Sequence, residues 1–201
     1  MTRPIALHGL IRRVVGDRRG ATVIEFAIVA PVMMLLMMGL GDVLYQVYAK
    51  SILNGAVQKA ARDSSLESGP NQIATLDGKV IAMVRNIAPS ATYQSTRKSY
   101  TSFTNVAPEP FTDTNGNGTR QAGECYTDIN GNNQWDADPG ANGQGGANDV
   151  TLYTMTVTYP RLFPVAGLFG WPSTATISAQ TLLKNQPYAT QTVPTPATIC
   201  T

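Results

Sequence analysis

Apolar and polar positions divide the chain into three stretches. From Ala21 to Gly41 (ATVIEFAIVAPVMMLLMMGLG) a single charge, Glu25, interrupts an apolar run. A helix rises about 1.5 Å per residue, so this run matches the roughly 30 Å hydrocarbon core of a bilayer. Upstream stand Arg3, Arg12, Arg13, Arg18 and Arg19 against Asp17 alone. That basic excess predicts a cytoplasmic N-terminal side, with everything after Asp42 outside. A secretory signal also has a basic start and an apolar core. Here the run is long for such a core, and no small-x-small cleavage site follows it.

The next stretch keeps a helical period. Val43, Leu44, Val47, Ile52, Ala56, Val57, Ala60 and Ala61 recur at three- and four-residue spacing, the period of one helix face. Asp42, Gln46, Lys50, Gln58, Lys59 and Arg62 suit water. One helix is expected from about Arg19 to about Leu66, stopped by Gly69-Pro70. At about 1.5 Å per residue it would be roughly 70 Å long. Pro31 removes one helix hydrogen bond and predicts a local kink. The methionines between Met33 and Met38 read as adaptable apolar filler.

The third stretch mixes helix and strand. Asn71–Ala88 predicts a second amphipathic helix with Ile73, Leu76, Val80, Val84 and Ile87 on one face, weakened by Asp77-Gly78 and ended by Pro89. Thr92–Ser102 is rich in Thr, Ser and Tyr. Asp149–Tyr159 (DVTLYTMTVTY) alternates as a half-buried strand does, and Thr174–Lys184 is a further strand. Leu162 to Trp171 reads as an apolar loop between those two strands, and 187–198, with Pro187, Pro194 and Pro196, as an extended tail. The fold class is α+β: a long N-terminal transmembrane helix, a second helix, a small antiparallel β-sheet and an Asn/Asp/Gly-rich loop region. The expected divisions are a leader over 1–20, a transmembrane helix over 21–41, its extension over 42–69, and an outer α+β domain over 70–201 with acidic loops in 113–138.

Composition adds a location for the unusual chemistry. Charged residues are only 14% of the 201-residue chain, below the roughly 25% usual for soluble domains. The net charge of +2 is unevenly spread. Residues 107–149 carry Glu109, Asp113, Glu124, Asp128, Asp136, Asp138 and Asp149 against Arg120 alone. Within them, Asp113, Asn115, Asn117, Thr119, Gln121 and Glu124 follow the twelve-residue EF-hand loop pattern, with Gly118 at the sixth place. A second copy holds Asp128, Asn130, Asn132, Gln134, Asp136 and Asp138. It has Asn133 at the glycine place and Pro139 where the closing Glu would stand, so Asp136 or Asp138 would have to substitute. Hard cations need several converging oxygens, and calcium is the expected cofactor. The alternative is a solvated Asn/Gly turn cluster. Flanking EF-hand helices are not evident, so a stapled loop is expected and not a sensor switch.

Cys125 and Cys200 show no metal-type spacing. In an oxidising compartment they would form a bridge tying the C-terminal tail to the acidic region; two free thiols are the alternative. The single histidine, His8, lies in the leader, which leaves no Ser/His/Asp or Cys/His set for the outer domain. No phosphate-cradling G-x4-G-K-[ST] occurs. No enzyme activity is expected. No nucleic-acid partner is expected either, because the basic cluster abuts the apolar run and the outer domain is not basic.

Arg18-Arg19-Gly20-Ala21-Thr22-Val23-Ile24-Glu25-Phe26-Ala27 resembles the processing site of type IV pilin precursors. Its continuation through Pro31 to Leu35 resembles the TadE family of the tight-adherence (Flp) pilus system, over about residues 16–65. The resemblance implies a non-enzymatic minor pilin or pseudopilin acting in pilus assembly and adhesion. It implies cleavage by a prepilin peptidase between Gly20 and Ala21. Glu25, beside Phe26, would pair with the Ala21 amine of a neighbouring subunit. Other Tad pilins or pseudopilins, the inner-membrane assembly platform and membrane lipid are the implied partners. The implied location is the bacterial inner membrane, crossed once with the N-terminus cytoplasmic and the C-terminus outside, with incorporation in a surface pilus. The competing expectation is an uncleaved bitopic protein with a calcium-stabilised envelope scaffold or adhesin domain.

Overall fold

The computed structural model describes residues 19–65, 73–163, 165–187 and 189–200. The leader up to Arg18 and the expected Gly69-Pro70 stop lie outside them. Helix α1 runs over Arg19–Ser64, continuing through Pro31 as one element. Helix α2 spans Ile73–Arg85, and the short α3 spans Val165–Leu168. The strands are β1 Thr92–Tyr100, β2 Cys125–Asp128, β3 Ala141–Asn142, β4 Val150–Pro160, β5 Thr174–Lys184 and β6 Ala197–Cys200. The expected α+β architecture, with its second helix and antiparallel strands, is present.

The chain forms two compact units. One joins the part up to Tyr45 with Arg161–Ser173, and the other joins Gln46–Pro160 with Thr174–Thr201. In the first unit α1 is the one described helix long and apolar enough to cross a membrane. Val23, Ile24, Phe26, Ile28, Val29, Met33, Leu36 and Met37 all point away from protein.

In the second unit a four-stranded antiparallel sheet has the order β3-β1-β4-β5. Register fixes its inner face. Arg97 pairs across from Tyr153, Met155 from Ala179, Val157 from Ile177 and Tyr159 from Ala175. These positions are buried, as the period of two requires. The helical part of the core is Ala49, Leu53, Ala56, Val57, Ala60 and Ala61 from α1, with Leu76, Val80, Ile81 and Val84 from α2. Leu53 is wholly buried, which stabilises by about 2 kcal/mol.

Several expectations change. The covered stripe of α1 begins at Ala49: Val43, Leu44 and Val47 are exposed and extend the apolar surface of the preceding run. Asp42, assigned to water, is buried and pairs with Arg161. The end of the tail is strand β6, which pairs with β2. Asp77-Gly78 does not break α2, because Asp77 is the helix's buried anchor.

Its carboxylate accepts from Arg97 Nη2 at 2.6 Å and Nη1 at 3.1 Å, from Ser95 at 2.5 Å, and from the Tyr153 hydroxyl at 2.7 Å. The guanidinium also lies 4.1 Å from the Tyr153 ring centroid, a cation–π distance. Burial alone would raise the Asp77 pKa, but the donors from Arg97, Ser95 and Tyr153 outweigh it and hold the carboxyl below its ordinary value. Burial and the bond to Asp77 push the Tyr153 phenol up.

Asp77→Ala would leave Arg97 buried without its counter-charge. A loss of about 3–5 kcal/mol is expected in denaturant unfolding of the solubilised chain. The pH dependence follows from the depressed pKa. The ion pair contributes fully above the ordinary carboxyl value of 3.8 and is lost as pH falls through the lower folded value. Asp77→Asn should flatten that acid limb of the stability curve.

Candidate functional site: an exposed apolar helix and two acidic loops

The sequence-predicted residues fall into separate groups. Gly20 and Ala21 are helical positions in the first turns of α1. Glu25 and Phe26 are exposed on the same helix. The oxygen-rich residues occupy two loops in the second unit, on either side of β2.

In the first loop Asp113 sits at the centre of a backbone turn. Its Oδ1 accepts from the Gly116 and Asn117 N–H groups at 2.7 and 3.2 Å, and its Oδ2 from Gly118 at 2.7 Å. Asn115 Oδ1 then accepts from Asn117 N–H, and Asn117 Oδ1 from Thr119 N–H. Glu124 closes the loop from behind. Its Oε1 accepts from Thr114 N–H at 2.9 Å and its Oε2 from Gln121 N–H at 2.8 Å. Gly118 N–H, with those of Gly116 and Asn117, holds the Asp113 carboxyl below its usual range, so it is ionised at neutral pH.

The second loop repeats this pattern bond for bond. Asp128 Oδ1 accepts from Gly131 and Asn132, and its Oδ2 from Asn133. Asn130 Oδ1 accepts from Asn132 N–H, and Asn132 Oδ1 from Gln134 N–H. The sixth place needs a positive φ, which is why glycine is usual there. Gly118 has φ +73° and Asn133 has φ +61°, so Asn133 takes the same left-handed conformation. Asparagine tolerates it because its short amide bonds locally.

The closing carboxylate of this loop comes from upstream. Glu109 Oε1 accepts from Ile129 N–H at 2.8 Å and its Oε2 from Asp136 N–H at 3.0 Å. These are the second and ninth loop positions, the same two that Glu124 holds in the first loop. Glu109 is 1% exposed. Its backbone N–H donates to Asp136 O, and Trp135 Nε1 donates to Glu109 O. No linear loop pattern reveals it, because it stands nineteen residues before Asp128.

Of the two substitutes considered for the missing Glu, the structure separates the roles. Asp136 Oδ2 accepts from the side-chain amides of Asn130 and Asn132, both at 2.7 Å. Asp138 instead accepts from Lys98 and, at 2.8 Å, from the Tyr100 hydroxyl. Burial and that bond push the Tyr100 phenol up to about 12. The loop oxygens are thus a mixed carboxylate and amide set. Among the described residues no group of three or more Asp, Glu, His or Cys side chains is placed to hold a metal ion.

The two loops are joined to one small scaffold. Thr112 N–H donates to Cys125 O, and Thr127 N–H to Pro110 O, so the chain just after Glu109 runs beside β2. On the other edge of β2, β6 pairs Cys125 with Cys200 across from it, and a disulfide joins them. The bridge closes a separation of 75 residues, which in the chain-entropy account stabilises by about 4 kcal/mol.

Residues 20–62 match the family model described as TadE-like protein, a stretch that lies within α1. No curated protein and no solved structure matches the chain.

Because Asn133 occupies the left-handed region, Asn133→Ala should destabilise by about 1–2 kcal/mol. Asn133→Gly should be close to neutral. Thermal unfolding of the two variants side by side checks this.

Proposed function

We propose that the chain is a minor pilin or pseudopilin of a tight-adherence (Flp) pilus system, working in pilus assembly and adhesion without catalysis. The observation that carries this reading is the TadE-like match over residues 20–62, on a helix whose first half exposes most of its large apolar side chains. In the bacterial inner membrane that surface is covered by lipid, and in an assembled fibre by the corresponding helices of other Tad pilins. The N-terminus is cytoplasmic and the C-terminal domain outside.

A prepilin peptidase cuts between Gly20 and Ala21. The new amine of Ala21 and the carboxylate of Glu25 on an adjacent protomer then neutralise each other, sparing lipid two isolated charges. Phe26 next to Glu25 packs that junction. The inner-membrane assembly platform receives the processed chain.

The acidic loops act as calcium staples. Asp113, Asn115, Asn117, Thr119, Gln121 and Glu124 would hold one ion, and Asp128, Asn130, Asn132, Gln134, Asp136 and Glu109 a second. Supporting this is the repeated hydrogen-bond pattern, which places oxygen side chains at alternate positions around each turn, the arrangement a hard cation selects. Calcium there supplies electrostatic cross-linking of loops that carry little apolar material.

Mass spectrometry of the membrane-extracted protein should find a chain starting at Ala21. An intact Met1 start would favour the second reading, an uncleaved bitopic scaffold or adhesin. Glu25→Ala and Glu25→Gln should abolish piliation while leaving the chain membrane-bound and cleaved. Normal pili from either variant would remove the assembly role.

Calorimetric titration with calcium should show binding heat. At calcium a hundredfold above Kd, each site should add about 3 kcal/mol of stability. Glu109→Gln should weaken only the second site and Glu124→Gln only the first. Absence of both heat and thermal shift in the native protein would eliminate the staple.

A further inference from the structure

The segment between β4 and β5 carries an unusual surface. Residues 161–173 contain one charge, Arg161, and it is paired with Asp42 of α1. Arg161 also closes the base of the segment: its N–H donates to Ser173 O at 2.9 Å and its Nε to Pro172 O at 3.1 Å. The Phe163 ring lies against Gly41, where a Cβ would come within 3.0 Å of it. The segment is therefore fastened to α1 at residues 41 and 42. Its inner side is covered, with Val165 and Ala166 of α3 buried and Trp171 N–H bonded to Ala166 O. Its outer side is apolar and bare: Leu162 is 56% exposed, Leu168 69%, Phe169 63% and Trp171 60%.

The attachment point gives this surface a depth. The apolar run ends at Gly41, about 30 Å along the helix from Ala21, so residues 41 and 42 stand at the edge of the hydrocarbon core. Leu40 and Leu44, on either side of the attachment, are themselves exposed and apolar. Tryptophan favours that boundary, with its ring among chains and headgroups and its indole N–H reaching water. The Phe169 and Trp171 rings lie 5.9 Å apart, tilted by 41° to each other, at the same place.

We propose that residues 161–173 form a second membrane contact, which seats Leu168, Phe169 and Trp171 in the lipid interface beside the C-terminal end of the α1 span. The occupant is the acyl–headgroup boundary of the bilayer, because the exposed patch is continuous with the apolar surface of the helix. The Arg161–Asp42 pair is the clamp that holds the segment at this level. This rests on the reading of α1 as a membrane span.

The full chain reconstituted in phosphatidylethanolamine–phosphatidylglycerol vesicles tests it through its two tryptophans, Trp135 and Trp171. In a Trp135→Phe chain, lipid brominated near the glycerol end should quench Trp171 severalfold more than the same lipid quenches Trp135 in a Trp171→Phe chain. Subtracting the Trp171→Phe emission from that of the native protein gives the same signal without altering Trp135. Iodide on both sides of the bilayer should quench Trp171 weakly.

Strong iodide quenching of Trp171 with no response to brominated lipid would overturn the proposal. So would protection from iodide without lipid quenching, the signature of a protein-covered surface. Flotation of the vesicles reports insertion of α1 separately. A chain that fails to float overturns the membrane reading and this proposal together. One that floats with Trp171 unquenched by lipid overturns the second contact alone.

Discussion

One helix must satisfy two surroundings, and the rest of the molecule is arranged around that constraint. Up to Tyr48 most of the large apolar side chains of α1 are exposed, while from Ala49 the inner stripe of the same helix is enclosed by protein. The bare half keeps its backbone N–H and C=O groups within the helix, so it demands only an apolar covering. Water would charge about 25 cal/mol for every square ångström of that surface. Lipid or neighbouring helices supply the covering without cost. The enclosed half supplies Ala49, Leu53, Ala56, Val57, Ala60 and Ala61 to the interior of the second unit.

The second unit is held by two different kinds of bonding. Around the four-stranded sheet the interior is apolar, pierced by one well-partnered polar cluster of Asp77, Arg97, Ser95 and Tyr153. That cluster links α2 to β1 and β4, and its bidentate geometry fixes how the helix lies on the strands. Around β2 and β6 little apolar material is available. There buried carboxylates of Glu109, Glu124 and Asp128 collect backbone N–H groups, and the disulfide closes the far edge. Such a region is ordered by polar contacts that must all be made, which accounts for the repetition of the same turn in both loops.

Elements built from near neighbours were readable in advance. The uninterrupted apolar run, the three- and four-residue spacing and the strand alternation each depend on local geometry. They located α1, α2, β4 and β5 to within a few residues. The same local logic found the Asp113 loop and the start of the Asp128 loop. It overextended the covered stripe of α1, because Val43, Leu44 and Val47, although apolar, are exposed. It took Asp77 for a weakness in α2, because a lone acid in a helix says nothing of a guanidinium twenty residues away.

By itself the sequence determined where the apolar rod lies, where Glu25 interrupts it, and that an α+β domain follows. Those properties reside in short-range pattern and in the partition of side chains between water and oil. Only the tertiary structure decided that Glu109 closes the second loop, and that Cys125 and Cys200 are bridged and not free. It alone brought Arg161 to Asp42, across 119 residues. Each of these depends on a chain crossing that brings distant residues within bonding distance, and no spacing along the chain encodes such a crossing.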